Sequence, residues 1–508
     1  MRLTNRYLLF AFCVLTTFPG IAQEDQRLEK IVIGDLPVEM QTEINSLKQR
    51  INGDTVTSLP GDNLEVWTLS DNNNSELVVK RLESIADKHA TPIHGLHEDY
   101  RSLFTNHNFR GEDIQIDTSV LDQQIESGNY KSSYIVQAVS ANISEFAMRT
   151  GFDNLDGVNQ PPSLIVPLAP DLEAVLTRES IEEVDGNIFW VGSTKSGGRA
   201  YLTNHEGQIT GTIREEGKIF SVQSLGDGMT AILEQNTNPV KGEHPRLQLP
   251  KIERDAPEAS ENNALDGPTS KLLDGPPVSK DIDVLVVYTN KAAANQNDIE
   301  VEVIKQAIFE TNQALKNSGI KDHKFRLAHT QSVTYDEVPS GHLVGDDQKF
   351  LEHLDRLVKQ NDGYMDDVHK LRDDHKADIV ILIIESGPYY GAAREIFAYA
   401  DSAFAIVKRT HAIGYFSFGH EIAHLFGARH DLKNDSSITP FPHGHGFLHG
   451  NSWRTIMGYG TYCNDCVRID YWSNPNTEYT QVPTGTESKE NNATVLKEEW
   501  NRIASFRD

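Results

Sequence analysis

The stretch Gly419-His-Glu-Ile-Ala-His-Leu-Phe-Gly-Ala-Arg-His-Asp431 constrains this chain more than any other. His420 and His424 are four residues apart, so on a helix both imidazoles leave one face and can meet a single ion. Glu421 is turned by about 100° from His420, which puts its carboxylate beside such an ion rather than on it. Gly427 falls three residues after His424. With no Cβ it can take positive φ, ending the helix and turning the chain so that His430 returns to the same point. Three neutral imidazoles hold one zinc ion and leave a fourth position for water, the arrangement of a catalytic site rather than a closed structural one. Two histidines four apart also arise by chance on a solvated helix face. Gly427, His430 and Asp431 at fixed spacings argue against that reading.

The pattern around this segment predicts an α/β region over residues 281–508. Asp281-Ile-Asp-Val-Leu-Val-Val-Tyr288 reads as a buried strand. A helix over about 299–317 carries Ile304, Ala307, Ile308, Thr311 and Leu315 on one face, with Gly319 near its end. A strand from Phe325, a helix around 348–360 and the central strand Ile379-Val-Ile-Leu-Ile-Ile384 follow. Strands alternating with helices make an α/β sandwich.

Upstream, residues 23–233 read as one mixed region or two small ones. A helix is expected over 75–88, and short runs broken by glycine from Gly186 onward form a β-meander. Residues 234–280 are rich in Pro, Asn, Asp and Glu without periodicity, the composition of an exposed linker open to proteolysis. At the start, Arg2 and Arg6 precede an apolar run from Tyr7 to Phe18, then Gly20-Ile21-Ala22. Residues 1–22 therefore read as a secretory signal, too short to span a bilayer, and no later stretch is long and apolar enough to do so. With 47 Lys and Arg against 74 Asp and Glu, the net charge is −27, which excludes a nucleic-acid binder reliant on phosphate neutralisation. Apart from Cys13 in the signal, Cys463 and Cys466 are the only cysteines. A short-range disulfide is the default in an oxidising compartment; half a zinc knuckle and a redox pair are the alternatives.

The spacing His-Glu-x-x-His-x-x-Gly-x-x-His resembles the zinc signature of the metzincin metallopeptidases. That family needs a methionine turn beneath the metal, and Trp453-Arg-Thr-Ile-Met457-Gly-Tyr459 matches it. The opening Ile282-Asp-Val-Leu-Val-Val-Tyr-Thr289, the helix end Asn317-Ser-Gly319, and Cys463-x-x-Cys466-x-Arg468 leading to Trp472-Ser-Asn-Pro475 are similar to secreted bacterial reprolysin-like peptidases, above all the peptidyl-Asp metalloendopeptidases. The resemblance covers about residues 282–507. It departs at Ala423, where relatives usually have Gly, and in lacking further cysteines ahead of the motif.

The resemblance implies a metzincin catalytic domain with a mixed, mainly parallel sheet and an active-site helix, behind a mixed, β-rich prodomain. It implies one catalytic zinc on His420, His424 and His430, with Glu421 as general base and Tyr459 helping to hold the oxyanion. Met457, Gly427 and Asp431 take structural roles. The strand at about 396–406 is expected to form the cleft edge to which an extended substrate adds. Arg429 and Arg468 are candidates for a pocket that takes an acidic side chain after the cut bond. Protein or peptide substrates, a monomer and a secreted zymogen follow, and no stretch indicates calcium. No cysteine is present for a thiol latch, while Phe109-Arg-Gly-Glu112 resembles the carboxylate switch of some metzincins. His443, His445 and His449 are read as a polar loop rather than a second metal site. The alternatives are a protease without Asp preference and a non-catalytic binding module that keeps zinc as a scaffold.

Overall fold

The computed structural model describes residues 29–33, 38–49, 55–58, 65–69, 73–89, 101–105, 108–110, 118–150, 161–237, 244, 281–294, 296–338 and 346–507. The expected signal, and the linker apart from residues 234–237 and His244, lie outside the described residues. Among the described residues, no helix is long and apolar enough to cross a membrane. The chain divides into two compact units, 1–96 and 97–508.

In the first unit an antiparallel sheet orders Glu29–Ile33, Glu65–Leu69 and Thr55–Ser58, with helices Val38–Lys48 and Asn73–His89. The second helix includes the expected stretch 75–88. Its Val78, Leu82 and Ile85, spaced for one helical face, pack with Trp67 and Met40.

The second unit begins with an eight-stranded antiparallel sheet. Ser163–Ala169, Leu172–Val184, Asn187–Ser193, Arg199–His205, Gln208–Glu215, Lys218–Gly226 and Met229–Gln235 run as a meander, with Tyr130–Gln137 beside the last strand. Asp185-Gly186, Glu206-Gly207, Glu216-Gly217 and Asp227-Gly228 all have positive φ, the primed turns whose twist suits a two-residue hairpin. The meander therefore starts earlier than its glycine-punctuated part. Its first hairpin turns at Pro170-Asp171, without a glycine to announce it.

A five-stranded sheet follows, in the order Phe325–Val333, Ile282–Thr289, Ile379–Ile384, Phe404–Lys408, Gly391–Ala393. The first four strands are parallel and Gly391–Ala393 runs antiparallel at the edge. Ile379–Ile384 is buried on both faces, which is why it is a continuous apolar run. Ile379, Ile381 and Ile383 pack with helices Gln306–Asn317, Ser417–Phe426 and Asn492–Ile503. Val380, Leu382 and Ile384 pack on the other face against Asp346–Val358 and Asp367–Asp374. The helix expected from 299 starts as a π-helical turn, Glu300–Lys305, before Gln306–Asn317.

The cleft edge corrects the sequence reading. Residues 396–403 look strand-like but do not join the sheet. Phe397 has positive φ, and the amides of Phe397 and Ala398 donate to His424 O (2.9 Å) and Leu425 O (2.8 Å), capping helix Ser417–Phe426. Phe404–Lys408 lies inside the sheet, and Gly391–Ala393 is the edge.

Phe189, Val191 and Tyr201 of the antiparallel sheet join the core that contains helix Ser417–Phe426. Thr203 Oγ1 donates to Gln306 Oε1 at 2.5 Å and Thr212 Oγ1 to Glu310 Oε1 at 2.7 Å. Arg199 pairs with Asp470 at 2.8 Å. Arg214 bonds Arg468 O and Gly414 O and stacks 4.4 Å over Phe416.

Candidate active site

Helix Ser417–Phe426 lies wholly buried and stops at Gly427. There φ is +109°, and a Cβ would come within 2.8 Å of Phe441 Cε2. Its amide donates to His424 O at 2.9 Å and that of Ala428 to Ala423 O at 3.0 Å, closing the helix and returning His430 toward it.

Three ring nitrogens converge. His430 Nε2 lies 3.1 Å from His420 Nε2 and 2.9 Å from His424 Nε2. The Nδ1 atoms of His420 and His424 sit 2.8 Å from Ile456 O and Ala428 O. A carbonyl only accepts, so each Nδ1 carries the proton and each Nε2 turns a lone pair inward. Burial holds His420 and His430 well below the usual imidazole range and pushes His424 down to about 3, so all three are neutral near pH 7. Inward-facing neutral imidazoles this close call for a cation. Tetrahedral zinc with nitrogens at 2.0–2.1 Å would set them ~3.3 Å apart, so the donor set fits that metal.

Glu421 is fully buried beside them, and burial raises its carboxyl above the usual range, against the pull of His244. Neither of its oxygens has a well-aligned hydrogen bond. The carboxylate lies over Gly391 on the edge strand, where a Cβ would come within 2.4 Å of Oε1. Below, Gly458 N donates to Thr455 O at 2.9 Å, closing a turn that buries Met457 in the core. Asp431 accepts from the amides of Lys433 (3.1 Å), Asn434 (3.3 Å) and Tyr459 (3.0 Å), and from Asn434 Nδ2 (2.7 Å). It thus ties the chain after His430 to the methionine turn. The Tyr459 ring is centred 4.1 Å from that of His430.

Cys463 and Cys466 are disulfide-bonded, two residues before Arg468. Arg468 is buried, donates to Tyr415 O (3.0 Å) and Gly458 O (3.4 Å), and acts electrostatically on Glu421. Arg429 Nη1 is held 2.6 Å from Asp435, and its Nε donates to Thr439 O. His445 turns Nδ1 to His430 O, His443 lies 4.0 Å from Glu498 and His449 stacks on Trp453, so the three do not meet. Phe109 packs near Leu121 and Ile135, while Gly111 and Glu112 lie outside the described residues.

Sequence reasoning missed one participant. His244 joins His420, His424 and His430 in a group whose ligand atoms all lie within 4.8 Å of one another. No motif marks it; the only signal is a histidine between the meander and the first strand of the catalytic sheet.

A buried three-nitrogen cradle with a poised carboxylate against an open sheet edge is what a metallopeptidase requires. The profile of metallo-peptidase family M12 matches residues 278–473. The chain is similar to the peptidyl-Asp metalloendopeptidase of Xanthomonas campestris pv. campestris, 37% identical over 310 residues, 61% of this chain and 70% of that one. With the protein of the same name from Stenotrophomonas maltophilia it is 34% identical over 368 residues, 66% of this chain and 83% of the relative. The chain belongs to this metzincin family of M12 metallopeptidases, and it is a metalloendopeptidase.

Proposed function

We propose that the chain is a secreted proenzyme whose region 281–508 cuts proteins on the amino side of aspartate, with zinc on His420, His424 and His430. Residues 1–22 act as signal, 23–233 as propeptide and 234–280 as the segment cut on activation. The observation that carries the catalytic reading is the buried Glu421 carboxylate beside the three convergent imidazoles and above Gly391.

When bound, zinc supplies Lewis acidity to the scissile carbonyl and to the attacking water. Glu421 takes the water's proton as its oxygen bonds to the carbonyl carbon, and gives that proton to the leaving amine as the C–N bond breaks. The buried site removes competing water, and the raised affinity of Glu421 for a proton suits both transfers. Tyr459, beside His430, donates to the developing oxyanion. The substrate backbone pairs with Gly391–Ala393 as an added strand.

The aspartate preference is supported by the names of the relatives and by Arg468, whose buried positive charge reaches the site. Arg429 is the weaker candidate because its guanidinium already holds Asp435. The test is digestion of a denatured protein mixture by the secreted, processed protein and by Glu421→Ala, with peptide ends read by mass spectrometry. Chelator-sensitive cuts with Asp enriched after the bond, absent from the variant, are expected. Scattered cuts would remove the aspartate preference. Silence of both proteins despite bound zinc would favour the scaffold alternative.

A further inference from the structure

Building on the zinc reading above, we propose that His244 is the fourth ligand of the metal in the unprocessed chain, a propeptide imidazole that closes the site to water and substrate.

His244 stands over the cradle. Its ring centroid is 4.8 Å from that of His420, 5.2 Å from His424 and 5.0 Å from His430, so it is nearly equidistant from all three. Its Nε2 lies 2.9 Å from Glu421 Oε1 but off the direction of a hydrogen bond. One of its ring nitrogens lies within 4.8 Å of a ring nitrogen of each of the three cradle histidines. The Nε2 atom stands where a water must sit to give its proton to Glu421. Tyr459 is 6.0 Å away between ring centres, so the imidazole also covers the oxyanion side. The His244 side chain is 14% exposed, which places it within the cleft.

The tether explains why so short a contact can hold. His244 follows the last meander strand, Met229–Gln235, by nine residues. That strand's end is fixed to the catalytic domain: Gln235 Nε2 reaches Ile413 O at 3.4 Å, and Lys408 Nζ reaches Asn129 Oδ1 at 2.7 Å. A ligand on a short leash has an effective concentration in the millimolar range, ahead of ordinary substrates. The docking surface mixes the apolar contacts of Phe189, Val191 and Tyr201 with buried charges, Asp470, Glu310, Arg199 and Arg214. Hydrolysis anywhere after His244, with Asp266, Asp274 and Asp281 as self-processing points, leaves the histidine on the departing piece. Opening is then a ligand exchange: imidazole leaves and water enters, with no electron transfer.

The test uses the full chain carrying Glu421→Gln, so that it cannot cut itself, loaded with cobalt(II) in place of zinc. The visible absorption of cobalt reports its ligands directly. The intact chain is expected to keep one spectrum when acetohydroxamate is added. His244→Ala in the same background is expected to shift its spectrum and bind the hydroxamate at least ~10-fold more tightly, the gain from losing a tethered competitor. Equal hydroxamate binding by both chains would overturn the latch while leaving the three-histidine site intact. A chain that takes up no cobalt at all would overturn the zinc reading, and the latch with it. With Glu421 restored, His244→Ala is also expected to shed its N-terminal region faster, followed as loss of the full-length band; an unchanged rate would count against the latch.

Discussion

Replacing Gly391 by alanine tests whether Glu421 acts as a precisely seated base. A Cβ built on Gly391 would lie 2.4 Å from Glu421 Oε1 and 2.8 Å from both Cγ and Cδ. Ordinary contact begins near 3.4 Å, so the carboxylate has to retreat by about 1 Å. The strand itself resists moving, because Gly391, Ala392 and Ala393 are paired with Val407, Ile406 and Ala405 of an interior strand. A misplacement of that size costs a rate factor of roughly 10², or about 2.7 kcal/mol in the barrier. The three heavy atoms nearest the new methyl all belong to Glu421, not to the cradle histidines. The variant is therefore expected to bind one metal ion per chain and to melt near the wild type, with kcat/KM on a peptide substrate down about a hundredfold. Metal content by atomic emission, thermal unfolding and steady-state kinetics read the three quantities separately. Activity within about threefold of wild type, with metal bound, would refute the reasoning, since the base would then tolerate a displaced carboxylate.

Gly427→Ala forces a side chain into φ +109° and against Phe441 and Pro440, and is expected to cost about 2–5 kcal/mol in chemical unfolding while weakening metal binding through His430. Glu302 is buried without a well-formed hydrogen bond, and burial together with Asp298 pushes its carboxyl up to about 8. The folded chain thus holds the proton more tightly than the unfolded one. Its contribution is complete below pH 4.5 and is lost as pH rises to about 8, at most about 5 kcal/mol. Glu302→Gln is expected to flatten that fall, read as urea midpoints at pH 5 and pH 9, and an unchanged slope would contradict it. Chelation is expected to abolish proteolysis, and one equivalent of zinc to restore it; full activity in the chelated, metal-free protein would contradict the three-histidine site.

Buried charges join the meander to the region of the five-stranded sheet. Asp470 receives Arg199, Tyr201 and Asn317, and Arg199 and Arg214 hold its carboxyl below the usual carboxylate range despite burial. Removing the Asp470 carboxylate takes from Arg199 and the buried Arg214 the negative charge they share, which is destabilising. Under the proenzyme reading proposed above, Asp470 would meet water once the N-terminal region leaves.

The convergence of His420, His424 and His430 was legible because its geometry is local. His420, Glu421 and His424 sit within one and a half helical turns, and Gly427 is the residue that an end with φ +109° demands. The central strand was legible for a similar reason, since burial on both faces leaves no polar position between Ile379 and Ile384. Runs with a turn glycine were read as hairpins, and the one that turns at Pro170-Asp171 was not. The resemblance implied an edge strand over about 396–406, but the backbone amides of Phe397 and Ala398 go to the helix end rather than to a neighbouring strand. What only the tertiary structure decided joins residues far apart in the chain. Glu421 rests on Gly391, His420 on the carbonyl of Ile456, Asp431 on the amide of Tyr459, and His244 on the cradle as a whole. No periodicity encodes such meetings, because they are fixed by how sheet and helices pack and not by the spacing of residues along one element.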